Sequence, residues 1–392
     1  MNHIRSGEQV TDKRGIEEAD EKFNIINLVC TGAMMKIFPC RNIAGKTLEW
    51  YSQSDQLPQD MGNDKWVFIR KSMSYVNEMI VMKKYNDACM LLEKINKYQQ
   101  VECDGLLPAD NKFKAEKIYN QFDYSKSVAM ACICIGLICF IYYCHCMASQ
   151  KRTSRKAIII LNILLWIVFT YLSAAICLRG YVSNHLPLSN GFETMQFMAW
   201  CTLLLTFLLQ RKFAMLLPFG FLLCGLTLMV SMLGESNPQI TQLMPVLQSP
   251  LLSIHVVVIM IAYSLLAFIM LNGVTAVILH QSQKECKEQI ERLQIISQII
   301  LYPAIFLLAI GIFIGAVWAN VSWGRYWGWD PKEVWALITM LVYALALHPR
   351  SLPWFHRTMF FHVFCITAFI TVLITYFGVN FLLGGMHSYA NG

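Results

Sequence analysis

Five tryptophans, Trp318, Trp323, Trp327, Trp329 and Trp335, fall within residues 318–335, half of the ten in the chain. Membrane loops commonly carry one or two indoles as interfacial anchors. A cluster this dense reads instead as the lining of a large, flat, apolar ligand, because rigid rings give contact area at low entropic cost and keep an N–H for a polar partner. Two histidines fall on the same side of the chain's apolar runs as this loop: His255, and His387 in Gly384-Gly385-Met386-His387-Ser388-Tyr389. Neutral imidazoles on either face of an aromatic platform can hold a haem iron while the indoles cover the porphyrin. Each histidine also has a plainer reading, His255 as an interfacial polar residue and His387 as part of a frayed terminus. The combination with the loop favours ligation.

Asp330-Pro331-Lys332-Glu333 is a helix start whatever the loop does. Asp330 can cap, Pro331 suits the first helical position, and Glu333 can reach back to the cap N–H. His348 closes the next apolar run before Pro349. There it complements a helix C-terminus, or it ligates iron at a second, inner site. His145 and His362 are further candidates for that inner site, against a structural role that is common for buried or interfacial histidines.

Such residues need a scaffold, and the composition says which. The chain of 392 residues is 56% hydrophobic and 15% charged, with a mean hydropathy of +0.45. Soluble domains rarely reach that balance. The formal charge of +7 forms no contiguous basic stripe with interleaved aromatics, so no nucleic-acid partner is expected. Most of the fourteen cysteines lie in or beside apolar runs, where thiols act as small hydrophobes, and no Cys-x-x-Cys occurs to suggest zinc or redox chemistry. Cys30, Cys40, Cys89 and Cys103 precede the first run and could pair in an oxidising compartment.

The apolar runs predict an all-α, polytopic membrane bundle of about eight helices, with a small N-terminal extramembrane region. A span needs about 20 residues. The runs are about Val128–Met147, Ala157–Cys177, Phe192–Leu209, Phe213–Leu233, Leu251–Leu279, Ile299–Trp318, Val334–Leu347 and Thr358–Asn380. The seventh is short, about 21 Å at helical rise. Lys284–Ile295 reads as a polar helix between spans, and Lys71–Gln100 as a small soluble helical region. Domains are expected at 1–127 and 128–392.

Loop charges give an orientation. One set of loops carries Lys151, Arg152, Arg155, Lys156, Arg211, Lys212, Lys284, Lys287, Arg292, Arg350 and Arg357; the alternate set carries Arg179, Arg325 and Lys332. Eleven against three puts the first set in the cytoplasm and the Trp loop and C-terminus outside, in a multi-pass cytoplasmic (inner) membrane protein. Residues 1–127 then also lie outside, although a polar N-terminus offers no export signal. The reading therefore expects further spanning segments upstream, or a second polypeptide that supplies them.

The stretch Trp323-Gly324-Arg325-Tyr326-Trp327-Gly328-Trp329-Asp330-Pro331-Lys332-Glu333 resembles the WWD motif of haem-handling proteins in cytochrome c maturation, most closely the CcsA/ResC type. Ser253-Ile254-His255-Val256, Leu347-His348, Tyr376-Phe377-Gly378-Val379-Asn380 and Pro187-Leu188-Ser189-Asn190-Gly191-Phe192-Glu193 resemble further family elements, so the resemblance covers about residues 155–392. Residues 1–127 look like the tail of a partner's outer domain, as in fused forms. The resemblance implies that Trp318, Trp323, Trp327, Trp329, Asp330 and Trp335 form a haem b site with His255 and His387 as outer ligands. It implies that His348 is one ligand of an inner site completed by a ResB/CcsB-type partner. It further implies a part in a holocytochrome c synthase that attaches haem to Cys-x-x-Cys-His of apocytochrome c. A haem or aromatic-solute exporter without catalysis, and an accessory subunit using the tryptophans as a protein interface, are the competing readings.

Overall fold

The computed structural model describes residues 13–41, 48–58, 61–211, 213, 215–233, 237–240, 249–282 and 286–383. Helices dominate, and the chain divides into two compact units, residues 1–110 and 111–392. The second takes in a helix that precedes the first apolar run, because Tyr119 on that helix is built into the unit's buried polar network.

The first unit contains α1 (Lys13–Cys30), a hairpin of β1 (Phe38–Arg41) and β2 (Leu48–Tyr51), α2 (Asn63–Val81) and α3 (Tyr85–Cys103). The Lys71–Gln100 stretch is helical as expected and consists of parts of two helices, separated where Lys83 takes a positive φ of 59°. The hairpin pairs Phe38 with Tyr51 and Arg41 with Leu48 in antiparallel register. It is held to α3 by Tyr98, whose hydroxyl donates to Pro39 O at 2.9 Å, and by Gln99, whose amide donates to Ile37 O at 2.7 Å. Phe38, Ile69, Val76 and Ile95 form the core beneath it. All four cysteines of this unit are free thiols, Cys40 and Cys103 buried, Cys30 and Cys89 exposed.

The second unit is a multi-pass helical membrane domain. After α4 (Asp110–Gln121) come α5 (Ser125–Ala148), α6 (Arg155–Ser183), α7 (Gly191–Leu209), α8 (Leu216–Ser231), α9 (Pro250–Gln281), α10 (Lys287–Trp323), α11 (Pro331–Leu345) and α12 (Thr358–Leu373), which runs on as a π-helix over Ile374–Leu383. Among the described residues, six helices are long and apolar enough to cross a membrane; α8 is a shorter apolar helix. The polar stretch after Cys286 is no separate helix. It forms the first turns of α10, which runs 37 residues with Pro303 inside it. That is about 55 Å, well beyond a hydrocarbon core of about 30 Å. Two sub-cores fill the domain. Ala129, Leu165, Leu203, Phe219 and Phe268 lie in one, centred on α5–α9. Leu266, Leu301, Tyr343, Phe361 and Cys365 lie in the other, centred on α9–α12.

Among the described residues, α9 and α10 share the most extensive helix–helix contact, and two glycines bring them close. A Cβ built on Gly311 would come within 2.5 Å of Ile259, and one on Gly315 within 2.7 Å of His255. Small residues four apart let membrane helices approach backbone to backbone.

Candidate haem-handling site

The loop after α10 is built by its own sequence. Gly324 ends α10 in the left-handed conformation (φ 72°), with its N–H on Asn320 O, as glycine does most cheaply. Six residues later Asp330 caps the start of α11. Its Oδ1 accepts from the Lys332 N–H at 3.0 Å. Glu333 reaches back, its Oε2 accepting from the Gly328 N–H at 2.8 Å and the Asp330 N–H at 3.3 Å. The expected capping box is therefore present, and Glu333 goes beyond it. By holding Gly328 it staples the strand of loop that carries Trp327 and Trp329. Lys332, just ahead of the seventh apolar run, has its pKa lowered by burial, an effect that Asp330 partly offsets.

The five indoles do different work. Trp318, on the last turns of α10, is 2% exposed, and Trp323 meets it edge to face with ring centroids 4.8 Å apart. This pair is packing that anchors the base of the loop. Trp327 and Trp329 stand at right angles, 6.1 Å apart. Trp329 has a positive φ of 56° and is 78% exposed. A bulky residue in that region is strained, and such strain persists only where the surroundings impose it. Here the cap at Asp330 and the Glu333 staple impose it. Trp335 lies one turn into α11, half-buried, with its carbonyl accepting from Thr339 Oγ1 at 2.8 Å.

His255 sits in the second turn of α9, half-buried. Its Nδ1 is 2.7 Å from Gly311 O. A carbonyl only accepts, so the proton is on Nδ1 and the ring's lone pair is on Nε2. The ring lies against Gly315, which a Cβ would push away. Gly311, Gly315 and Trp318 follow at i, i+4 and i+7 along one face of α10, so His255 and the anchored indole share that face. His387 lies outside the described residues. The segment leading to it begins in the π-helix. Thr375 there comes within 3.4 Å of Thr339 on α11, and Gly191, at the start of α7, faces the Tyr376 hydroxyl.

His348 lies just past α11, exposed, with Nδ1 2.9 Å from Ala344 O. The same argument places its lone pair on Nε2, pointing away from its own helix. The 15 residues of α11 put about 22 Å between this histidine and the Trp loop. His145 is exposed in the last turn of α5. His362 is wholly enclosed, its Nε2 donating to Ile290 O at 3.2 Å. That enclosure gives it a packing role between α10 and α12.

One feature escaped the sequence reading. Arg179 counts as a loop charge by its neighbours in sequence, yet it is buried. Its Nε donates to Glu193 Oε1 at 2.7 Å, with both side chains out of solvent. Nη1 reaches Asn237 Oδ1 at 3.1 Å and the Tyr119 hydroxyl at 3.3 Å, and Nη2 donates to Pro238 O at 2.9 Å. Glu193 Oε2 accepts from the Ser189 N–H and hydroxyl at 2.8 and 2.6 Å. The resemblance to a family element at Pro187–Glu193 was the available signal. Its function here is to lock the start of α7.

Comparison with known proteins gives the family. The family described as cytochrome C assembly protein matches residues 188–387. A CcsA cytochrome c biogenesis protein of Chlamydomonas reinhardtii is 35% identical over 253 residues, covering 62% of this chain and 71% of the relative.

This chain belongs to the cytochrome c assembly family.

Its matched region, residues 188–387, holds Glu193 of the α7 lock, His255, the whole Trp loop, His348 and His387. A CcsA protein of Prochlorococcus marinus is 31% identical over 276 residues, covering 62% of this chain and 87% of the relative. The NrfI protein of Wolinella succinogenes is 31% identical over 379 residues and matches 96% of this chain, so the similarity extends into the first unit. The chain spans 42% of that relative's length. Members of the assembly family act in the biogenesis of c-type cytochromes, and this multi-pass membrane protein is one of them.

Proposed function

We propose that this chain presents haem b on the Trp loop, between His255 and His387, on the outer side of the cytoplasmic membrane. With a ResB/CcsB-type partner it attaches that haem to the Cys-x-x-Cys-His segment of apocytochrome c. Each thiol adds across a vinyl double bond of the haem, sulfur to one carbon and hydrogen to the other, so the bond-forming step needs no outside oxidant.

The observation that carries this reading is Trp329. A large apolar side chain held 78% exposed by a stapled, strained backbone is a surface prepared for a flat apolar partner. His255 adds a ligating Nε2 whose tautomer is set by Gly311 O, the arrangement by which a backbone carbonyl orients a metal-binding imidazole. His348, with the same tautomer, serves an inner site shared with the partner, and haem passes from there outward. Loop charges support the orientation, and residues 1–127 serve as the extracytoplasmic region that meets the partner.

The test is the absorption spectrum of the purified chain, co-expressed with its partner, against a Trp327→Ala/Trp329→Ala form. The wild type should copurify with six-coordinate haem and the double variant should lose most of it at equal expression. Full haem occupancy in the variant would reduce the indoles to an interfacial belt. Haem binding without any covalent product on a c-type reporter, partner present, would leave an exporter.

A further inference from the structure

Haem that moves outward from His348 must first reach it, as a flat apolar ring edged by two propionate carboxylates. The chain just past His348 has the parts to receive such a molecule. His348 O accepts from the Ser351 N–H at 3.1 Å and the Leu352 N–H at 2.9 Å, which folds the chain back at once. A short 3-10 helix, Pro353–His356, follows. Its Phe355 is buried edge-on to Phe364 of α12, with ring centroids 4.8 Å apart. The Phe355 carbonyl accepts from Gln294 Nε2 on α10 at 3.3 Å. A buried ring and a bond to another helix thus fix the turn, and its neighbours face out. Trp354 is 62% exposed and Phe360 39% exposed, their ring centroids 6.3 Å apart.

This aromatic surface is set among positive charge. Arg350 and Arg357 lie on either side of Trp354 in sequence and both are exposed. Among the described residues neither makes an ion pair. The chain carries no Asp or Glu after Glu333. On the adjoining first turns of α10, Glu288 pairs with Arg292 at 3.4 Å, and Glu291 is exposed. His348 itself is exposed, with its lone pair on Nε2. Interfacial anchors use tryptophan and arginine too. Haem differs from a lipid headgroup in needing a ring to stack on, a nitrogen for iron and two cations together.

We propose that residues 348–360 form the landing surface for haem on the cytoplasmic side: Trp354 and Phe360 take the ring, and Arg350 and Arg357 the two propionates, before His348 takes the iron. This rests on the inner-site reading of His348 and not on the outer indoles. Rigid aromatic rings suit the porphyrin face, and the planar fork of arginine suits a carboxylate. The four residues are positioning groups and take no part in forming the thioether.

The test uses the full chain carrying Trp327→Ala/Trp329→Ala, which removes the outer indoles, purified in phosphatidylcholine nanodiscs. It is titrated with haem b or with haem dimethyl ester, which keeps ring and iron and loses both charges; the Soret band reports binding. This form should still bind added haem, and at least roughly tenfold more tightly than the diester, the size expected of a charge-assisted hydrogen bond. Trp354→Ala should weaken both ligands. Arg350→Gln and Arg357→Gln should each shrink only the preference for the free acid, and Arg357→Lys should keep part of it. His348→Ala should move the Soret band, as a changed axial ligand does, and leave the charge preference in place. All four side chains are exposed, so these substitutions leave the fold intact. Binding that is indifferent to Trp354, Arg350 and Arg357 overturns the landing surface. So does a preference that vanishes when phosphatidylglycerol replaces phosphatidylcholine, which would give the arginines to lipid headgroups. No binding in this form, while the unsubstituted chain binds, overturns the landing surface and leaves the outer platform standing. Binding by neither overturns both.

Discussion

His255 and Gly311 are joined across two helices: the imidazole Nδ1–H of one donates to the backbone carbonyl of the other at 2.7 Å. The contact is possible because Gly315, one turn further along α10, has no side chain in the ring's place.

Gly315→Ala should therefore behave as a ligand mutation without touching the ligand. The added Cβ would lie 2.7 Å from His255 Cε1, so the ring must turn or the helices part, at a cost of about 1–3 kcal/mol for overpacking. The haem spectrum of the variant should shift towards that of His255→Ala, and the double variant should look no worse than His255→Ala alone. Additive losses would mean that the two residues act separately.

Glu333→Ala removes the acceptor that holds Gly328 and Asp330. We expect a loss of about 0.5–2 kcal/mol, the range for helix caps, concentrated in the loop. Haem-dependent quenching of tryptophan fluorescence should weaken several-fold while thermal unfolding of the whole domain moves little. Glu333→Gln, which keeps one carbonyl oxygen, should fall between. A loss of domain stability equal to the loss of haem affinity would count against a local staple.

Arg179 and Glu193 make a case for non-additivity. Breaking a buried ion pair from one side costs about 3–5 kcal/mol, because the remaining charge is stranded, whereas replacing both partners with apolar residues is far cheaper. Arg179→Met and Glu193→Leu should each lower the thermal transition strongly, and the double variant should recover a large part. Melting in detergent of the four forms measures this; a simple sum of the single effects would sink the ion-pair account.

The orientation is open to labelling. In a background cleared of reactive thiols, Asn320→Cys should react with a membrane-impermeant maleimide added from outside, and Ser154→Cys and Ser351→Cys should not. The reverse pattern would place the Trp loop in the cytoplasm and remove the basis for an outer haem site.

What could be read from the chain beforehand was whatever is local. The capping of Asp330 by a residue three positions on, and most of the span positions, follow from spacing alone, and the structure has them. The α7 lock is different. Arg179 and Glu193 stand fourteen residues apart on two helices, so their sequence neighbours say loop while their partners say core. Gly311 and Gly315 have a spacing that periodicity alone does not weigh, because their role depends on which helix faces them. The β1–β2 hairpin was invisible for the opposite reason: two four-residue strands are too short to show an alternation. The π-helical Ile374–Leu383 stretch also defeats a 3.6-residue period, since each residue there advances the face by a smaller angle than in an α-helix.

The two histidines with matching tautomers differ in what they are tied to. His348 is bonded to Ala344, in its own helix, and travels with that helix as a rigid attachment. His255 is bonded to α10 while riding on α9, so its aim depends on the alignment of two bodies. A slide of one helix along the other by a fraction of a turn would break the Gly311 contact and release the ring. On the proposed haem reading, the outer ligand is thus geared to the seam between α9 and α10, and anything that shears that seam would loosen the grip on haem without touching the iron.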